Sequence, residues 1–315
     1  MRLCFLMALL LAGTWGQFGD VLRSGCEYAA STGASGEPER LYLELLRNVL
    51  TGLAYLGTEE RTQFQGVGSR ESLYRGRVAV EARVCGNDLP YIGITMTGLR
   101  RMEALEQSVR AVLRAGVAGD LVECGVWQGG ASAYLLALLR AEGVSGRRVW
   151  LADSYGGFAG IDTMREDGSF SALPLDLWSG ADFIAVSQPA VRANLRRLGL
   201  YQEDTVRFHQ GYFNVSLPQL AREVSAVAVL RMDGDMYEST MDILFNLYSR
   251  VALGGLVIVD DWWIDNCRRA VEEFRALHSI TEAIHPIDQA SSYWIKERSV
   301  LVDPSYWTSR RSLHF

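Results

Sequence analysis

The run Leu121-Val122-Glu123-Cys124-Gly125-Val126-Trp127-Gln128-Gly129-Gly130 decides the fold. An apolar stretch ends in glycine, two more glycines follow, and Ala131 to Arg140 continues at helical spacing. That order is strand, glycine turn, helix. Outward from this unit the alternation repeats. Arg148 to Asp153 reads as a second strand ending in an acid, and Val206 to Phe208 as a weak third. Ala226 to Met232 is a strong fourth strand ending at Asp233, and Leu256 to Val259 a fifth ending at Asp260-Asp261. Helical patterns fill the gaps at Val191 to Leu198, Thr240 to Val251 and Cys267 to Leu277, and Tyr293 to Ile295 reads as a late strand. Alternating strands and helices predict an α/β protein with a mostly parallel sheet covered on both faces. Ligands of such sheets bind beyond the carboxyl ends of the strands. That gathers Glu123, Asp153, Asp233, Asp260 and Asp261 at one rim.

Ahead of this core, Leu41, Leu43, Leu45, Leu46, Val49, Leu50 and Leu53 crowd one side of a helix, and a second amphipathic helix runs from Gly98 to Leu113. A polar stretch lies between them around 58–77. The expected divisions are a leader and linker over 1–37, a helical cap over 38–118, a core over 119–300 and a tail over 301–315. In the leader, Arg2 precedes the apolar run Leu3 to Ala12, which has the form of a signal peptide and is too short for a stable membrane span. The alternatives are an apolar helix docked on the body and a start codon placed too early. The location follows: cytoplasm by the resemblance below, a secretory route or organelle if the leader is real.

A net charge of −6 gives no case for a nucleic-acid partner. The five cysteines are scattered without a CxxC pair, which indicates neither a zinc site nor a disulfide framework. Of the 31 basic residues only Lys296 is lysine. A lysine base, Schiff base or P-loop lysine therefore has a single candidate.

The acids at the rim carry the chemistry. Asp153, about 30 residues after the glycine turn, can accept both ribose hydroxyls of a nucleoside cofactor; a helix cap is its plainer role, and Glu123 has a similar plain role capping the turn. Gly125, Gly129 and Gly130 allow close backbone approach but spell neither GxGxxG nor a P-loop. An anionic pyrophosphate suits an acidic rim poorly, whereas S-adenosylmethionine has a ribose, no phosphate and a cationic sulfur. Asp233, Asp260 and Asp261 cannot sit close as bare anions without repulsion raising a pKa. Mg2+, bound by oxygen ligands, removes that repulsion. The plainer role for Asp260-Asp261 is to cap the helix after Trp263.

Val122 to Gly130, Asp153-Ser154-Tyr155, Gly211-Tyr212-Phe213, Leu230 to Thr240 and Gly254 to Asp261, with Thr95-Met96-Thr97-Gly98 ahead of them, together resemble the macrocin O-methyltransferase (TylF-like) family. The resemblance covers about residues 40–297. It implies a class I methyltransferase (Rossmann-like) fold: a mostly parallel seven-stranded sheet with an N-terminal helical cap and an active-site lid. It also implies O-methylation of sugar hydroxyls on natural products, with S-adenosylmethionine and Mg2+ as cofactors, a small-molecule glycoside as acceptor and a homodimer as the assembly. Carried onto this sequence, Asp233, Asp260 and Asp261 match the metal ligands. Asp233 matches the general base, with Asp235 the nearby alternative. Thr95, Met96, Thr97, Glu123, Gly125, Asp153, Ser154 and Gly211 match the cofactor site. Two departures fall on the substrate side, Gly157-Phe158-Ala159 where Gly-Leu-Pro is common and Asn214 where an Asp is common. The related catechol methyltransferases place a lysine base three residues after the first metal Asp; here Met236 stands there.

The implied mechanism has the metal lower the pKa of a bound hydroxyl, Asp233 or Asp235 take the proton, and the oxygen attack the sulfonium methyl in line. Tyr155 to Gly180 has the length and glycine content of a lid. His209 could touch substrate or serve structure, and Trp262 and Trp263 could wall the acceptor pocket or pack in the core. Asn214-Val215-Ser216 is a glycosylation sequon expected to go unused without a real leader. Two competing classes remain: a non-catalytic protein on a methyltransferase scaffold and a nucleotide-sugar oxidoreductase. The intact acids count against the first and the missing GxGxxG against the second.

Overall fold

The computed structural model describes residues 36–56, 77–87, 90, 92–157 and 184–311. The leader, most of the polar stretch 58–77 and all but the first residues of the expected lid lie outside them.

Strands β1 (Asp120–Cys124), β2 (Val149–Asp153), β3 (Val206–Gln210), β4 (Val227–Met232), β5 (Val251–Val259), β6 (His285–Pro286) and β7 (Ser292–Ile295) form a seven-stranded sheet in the order β3-β2-β1-β4-β5-β7-β6. The first five run parallel, β7 is antiparallel to β5, and β6 is antiparallel to β7. The strand order reverses direction between β1 and β4, and that switch point is where open α/β sheets form their crevice.

Successive strand residues point to opposite faces, and both faces are apolar. Leu121, Val149, Leu151, Leu256, Ile258 and Tyr293 enter one core cluster. Their neighbours Val122, Trp150, Ala152, Val257, Val259 and Trp294 enter the other. Helices α1 (Glu37–Leu50), α3 (Leu99–Arg114), α4 (Gly130–Ala141) and α5 (Gln188–Arg197) belong to the first cluster; α2 (Arg77–Cys85) lies ahead of α3. Helices α6 (Phe213–Glu223), α7 (Tyr237–Leu247), α8 (Asp265–Leu277) and α9 (Pro304–Arg311) cover the other face.

The expected helical cap is not separable. Leu43, Leu46 and Leu50 of α1 and Met102, Leu105 and Val109 of α3 are buried in the same cluster as Leu135 and Leu139 of α4. A buried polar knot ties the three together: Glu106 of α3 accepts from Arg47 of α1 at 3.0 Å, from Arg110 at 3.0 Å and from the Tyr134 hydroxyl of α4 at 2.5 Å. Two further differences have local causes. β5 begins at Val251 rather than Leu256, because Gly254 (φ +80°) and Gly255 lie in a β-bulge where its register shifts against β4. Helix α6 interrupts its own sequence signal with Pro218.

The tail is also part of the body. Trp307 of α9 is buried, stacks on Phe245 with ring centroids 6.0 Å apart, and donates Nε1–H to Asp242 Oδ1 at 2.7 Å. Arg311 binds the other Asp242 oxygen. Lys296, at the end of β7, donates to the carbonyls of Tyr248 and Val251, both at 2.8 Å, and pairs through its backbone with Gly254 and Gly255. That is the amino end of β5, opposite the acidic rim, so the one lysine is structural. No described helix is long and apolar enough to cross a membrane.

Trp307→Ala removes a large buried ring and one of the two partners of Asp242. Such truncations cost about 3–5 kcal/mol; a loss of that size is expected in urea denaturation, and a loss below about 1 kcal/mol would show that α9 is not docked as described.

Candidate active site

The site is built where the loops after β1 and β4 meet. Gly125 closes β1 with φ +91°, and a Cβ on it would lie 1.8 Å from the Asp233 carbonyl oxygen. Only glycine fits that contact. The peptide of Asp233 donates to the Cys124 carbonyl at 2.8 Å, and that of Asp260 donates to the Met232 carbonyl at 2.9 Å, so the three strand ends are locked in register. Gly130 admits the segment from α2 to α3: its N–H donates to the Ile94 carbonyl at 3.0 Å, and a Cβ there would lie 2.6 Å from Thr95 Cβ. Three non-glycine residues hold positive φ just beyond the neighbouring strands β1, β2 and β4: Trp127 (47°), Tyr155 (55°) and Asp235 (56°). Backbone strain of this kind persists only where surrounding contacts over-determine it.

On the β1–β2 side, Asp153 Oδ2 accepts from the Val126 N–H and Oδ1 from the Tyr155 N–H, both at 2.7 Å. Asp153 thereby shapes the glycine turn, and Ser154 Oγ lies 3.4 Å from its Oδ1. Ser154 Oγ donates to the Gly157 carbonyl at 2.7 Å. Gly211 (φ +142°) donates its N–H to the Asp153 carbonyl at 2.9 Å. Asp153, Ser154, Gly125 and Gly211 are thus brought to one corner. Thr95 and Thr97 are buried and Met96 is half-buried; Thr95 Oγ1 accepts the Thr97 N–H at 3.1 Å.

Glu123 takes a different place from the cofactor contact expected of it. It is 1% exposed, with Oε1 on Arg231 Nη1 at 2.8 Å and Oε2 bound by the Ser132 hydroxyl. Both oxygens are engaged within the protein, under the glycine turn rather than toward the cleft. Burial pushes its carboxyl up to about 7, against the pull of Arg231 and Ser132.

On the β4–β5 side the acids divide. Asp233, Asp235 and Asp261 each offer a carboxylate oxygen within 4.8 Å of the others. Asp261 Oδ2 also accepts the Asp235 N–H at 2.9 Å, which fixes the Asp233-Gly234-Asp235 turn. Asp260 stands apart electrostatically. Its Oδ2 is 2.5 Å from Arg101 Nη1 and its Oδ1 2.8 Å from Arg231 Nη2. Burial would raise its carboxyl, but the two guanidiniums hold it below the usual carboxylate range. Burial and then the neighbouring Asp233 push Asp235 up to about 8, and burial and Asp235 push Asp261 well above that range. Of the expected set Asp233, Asp260 and Asp261, the structure brings Asp233 and Asp261 together, with Asp235 as their third neighbour and Asp260 on its arginines. A cluster of three crowded oxygens with raised proton affinity is the donor set a hard divalent cation takes.

Two residues of the site escaped the sequence reading. Arg231, 2% exposed, donates to Glu123, to Asp233 Oδ2 at 2.8 Å and to Thr97 Oγ1 at 2.8 Å, besides pairing with Asp260. Arg101 bridges Asp260 to the Gly86 carbonyl at 3.1 Å and to Asp288 at 3.3 Å. The signal for Arg231 was visible: a charged residue inside an apolar strand needs buried partners. His209 is structural, its Nε2 lying 2.7 Å from the Ser216 carbonyl. Trp262 is half-buried against the core, while Trp263 is 50% exposed.

The strand order, the glycine turn and the acid closing the second strand define a class I methyltransferase. The family model for macrocin-O-methyltransferase (TylF) matches residues 39–296, and the chain belongs to that family. It is 41% identical over 254 residues to the 8-demethyl-8-(2,3-dimethoxy-alpha-L-rhamnosyl)-tetracenomycin-C 4'-O-methyltransferase of Streptomyces olivaceus, covering 81% of this chain and 92% of that one. It is 42% identical over 259 residues to the demethyldecarbamoylnovobiocin O-methyltransferase of Streptomyces niveus, covering 82% and 94%. Among solved structures, the O-methyltransferase NovP superposes with a TM-score of 0.72 at 39% identity, covering 82% of this chain and all of that one. The protein is an O-methyltransferase, and a methyltransferase of this family implies S-adenosylmethionine as the methyl donor.

Gly125→Ala forces the loops after β1 and β4 apart. In calorimetry the variant is expected to lose S-adenosylhomocysteine binding at least about ten-fold, equivalent to about 1.4 kcal/mol; unchanged affinity would refute the close approach as a requirement of the cleft.

Proposed function

We propose that this enzyme methylates a hydroxyl on a sugar of a glycosylated natural product, with S-adenosylmethionine as donor and Mg2+ at the carboxylate cluster. The observation that carries the proposal is the cluster of Asp233, Asp235 and Asp261 at the β1/β4 switch point, beside the corner formed by Gly125, Asp153, Ser154 and Gly211. Relatives named for methylation of sugar-bearing antibiotics support the acceptor class.

In this proposal Asp153 receives the ribose hydroxyls, the turn from Gly125 to Gly129 approaches the cofactor with its backbone, and Thr95 to Thr97 cover it. Asp233 and Asp261 hold the ion with Asp235 completing the set, and Asp260 acts from behind through its arginines. When bound, the ion supplies polarisation that lowers the pKa of a hydroxyl. Asp233 or Asp235 accepts the proton, since Lys296 is remote and Met236 cannot. Alignment of acceptor oxygen, methyl and sulfur then supplies most of the rate, a proximity contribution of up to about 7–11 kcal/mol.

The test is calorimetric titration with Mg2+ and S-adenosylhomocysteine, joined to transfer of labelled methyl onto a panel of glycosides. Asp233→Asn and Asp261→Asn are expected to abolish ion binding. Asp260→Asn, which changes an outer partner, is expected to weaken it about 10- to 100-fold. Absence of Mg2+ binding in wild type, with or without S-adenosylhomocysteine, contradicts the metal assignment. Loss of the ion in Asp260→Asn but not in Asp235→Asn restores Asp260 to the ligand set. Methyl transfer to aglycones but to no glycoside contradicts the acceptor class.

A further inference from the structure

Arg231 touches the two parts of the site assigned above to different ligands. Its Nη1 lies 2.8 Å from Asp233 Oδ2, at the edge of the carboxylate cluster, and its Nη2 donates to Thr97 Oγ1 at 2.8 Å, in the segment that crosses the glycine turn. The same guanidinium is pinned from behind by Glu123 and Asp260, each at 2.8 Å. The Arg231 side chain is 3% exposed and that of Asp233 30%, so the arginine forms the floor and the aspartate faces the cleft. The segment that carries Thr97 is docked on the cofactor loop through the Gly130 N–H to the Ile94 carbonyl at 3.0 Å.

We infer that Arg231 is a positioning residue that couples the two ligands of the site: fixing Asp233 in the ion cluster fixes the guanidinium, and the guanidinium fixes Thr97 and its segment over the cofactor cleft. The inference rests on the metal and cofactor assignments proposed above. The physical basis is shared ordering. A rigid planar fork held at four points cannot shift at one of them without disturbing the others. Whichever ligand binds first bears the entropy of ordering Asp233, Arg231 and Thr97, and the second binds to a site already ordered. Linkage makes the effect reciprocal. Lysine at 231 would keep the charge but could not reach all four partners with a fixed geometry.

The experiment measures coupling rather than turnover. S-adenosylhomocysteine is titrated calorimetrically with and without saturating Mg2+, and Mg2+ with and without saturating S-adenosylhomocysteine, in wild type, Thr97→Val, Thr97→Ser and Arg231→Lys. S-adenosylhomocysteine, the demethylated product, lacks the sulfonium charge and so avoids direct repulsion with the ion. Wild type is expected to show the same enhancement in both directions, within the roughly 5- to 150-fold range usual for coupled sites. Thr97→Val deletes only the acceptor hydroxyl, and the ratio is expected to fall to about one; Thr97→Ser restores the hydroxyl and is expected to restore the ratio. Arg231→Lys is expected to behave as Thr97→Val does, and if it fails to fold the threonine pair decides the matter alone. A merely structural role would lower absolute affinities and leave the ratio intact, so a retained ratio in Thr97→Val overturns the inference, as does a wild-type ratio of one. Absence of Mg2+ or S-adenosylhomocysteine binding in wild type overturns the site assignments themselves and the inference with them, and is read directly from the single-ligand titrations.

Discussion

The carboxyl end of this sheet gathers more buried carboxyl groups than the cations among the described residues pair with. Glu123, Asp233, Asp260, Asp261 and the turn residue Asp235 converge there, with Arg231 and Arg101 as their guanidinium partners. Removing one partner from such a buried network costs about 3–5 kcal/mol, because it strands a charge away from water. The arginines satisfy Glu123 and Asp260 and half-satisfy Asp233. Among the described residues no guanidinium binds Asp235 or Asp261, and burial, with Asp233 acting on Asp235 and Asp235 on Asp261, pushes their carboxyls upward. In the proposed function a divalent cation takes up what these arginines leave over.

The rest of the architecture serves that concentration of charge. Parallel strands bring acids from distant parts of the chain to one edge, and the switch between β1 and β4 opens the cleft beside them. Gly125 lets the two loops touch, and Gly130 lets the α2–α3 segment lie across the turn. Helices α1 and α3 are anchored to α4 through Glu106, so Arg101 and Thr97 reach the rim from a fixed platform. On the other face α9 clasps α7, whose first turn follows Asp235. The solitary lysine sits at the opposite edge with its ammonium on two carbonyls, away from the rim.

Much of this was legible in the sequence, for physical reasons. Apolar strands ending in Gly125, Asp153, Asp233 and Asp260-Asp261 carry a strong local signal, and the parallel alternation turns them into one rim. Helices α3, α4 and α8 show clear periodicity. Helix α6 was not legible because Pro218 breaks its pattern, and α9 because a short polar helix is stabilised by tertiary contact at Trp307 rather than by propensity. The division among the acids was the least legible. Sequence adjacency groups Asp260 with Asp261, but neighbouring residues at a strand end face different surroundings. Asp260 meets Arg101 and Arg231, whereas Asp261 meets the Asp235 turn. Arginine partners more than 100 residues apart, as Arg231 and Glu123 are, leave no periodic trace.

The central claim is that Asp233, Asp235 and Asp261 form the seat of a divalent cation while Asp260 stays on its arginines. Anomalous diffraction from crystals soaked in Mn2+ with S-adenosylhomocysteine tests it most directly. A single strong peak at bonding distance from Asp233 and Asp261, with the Asp260 carboxylate still between Arg101 and Arg231, is the predicted result. A map with no peak at that cluster, or an ion seated on Asp260 with either arginine turned away, would contradict it.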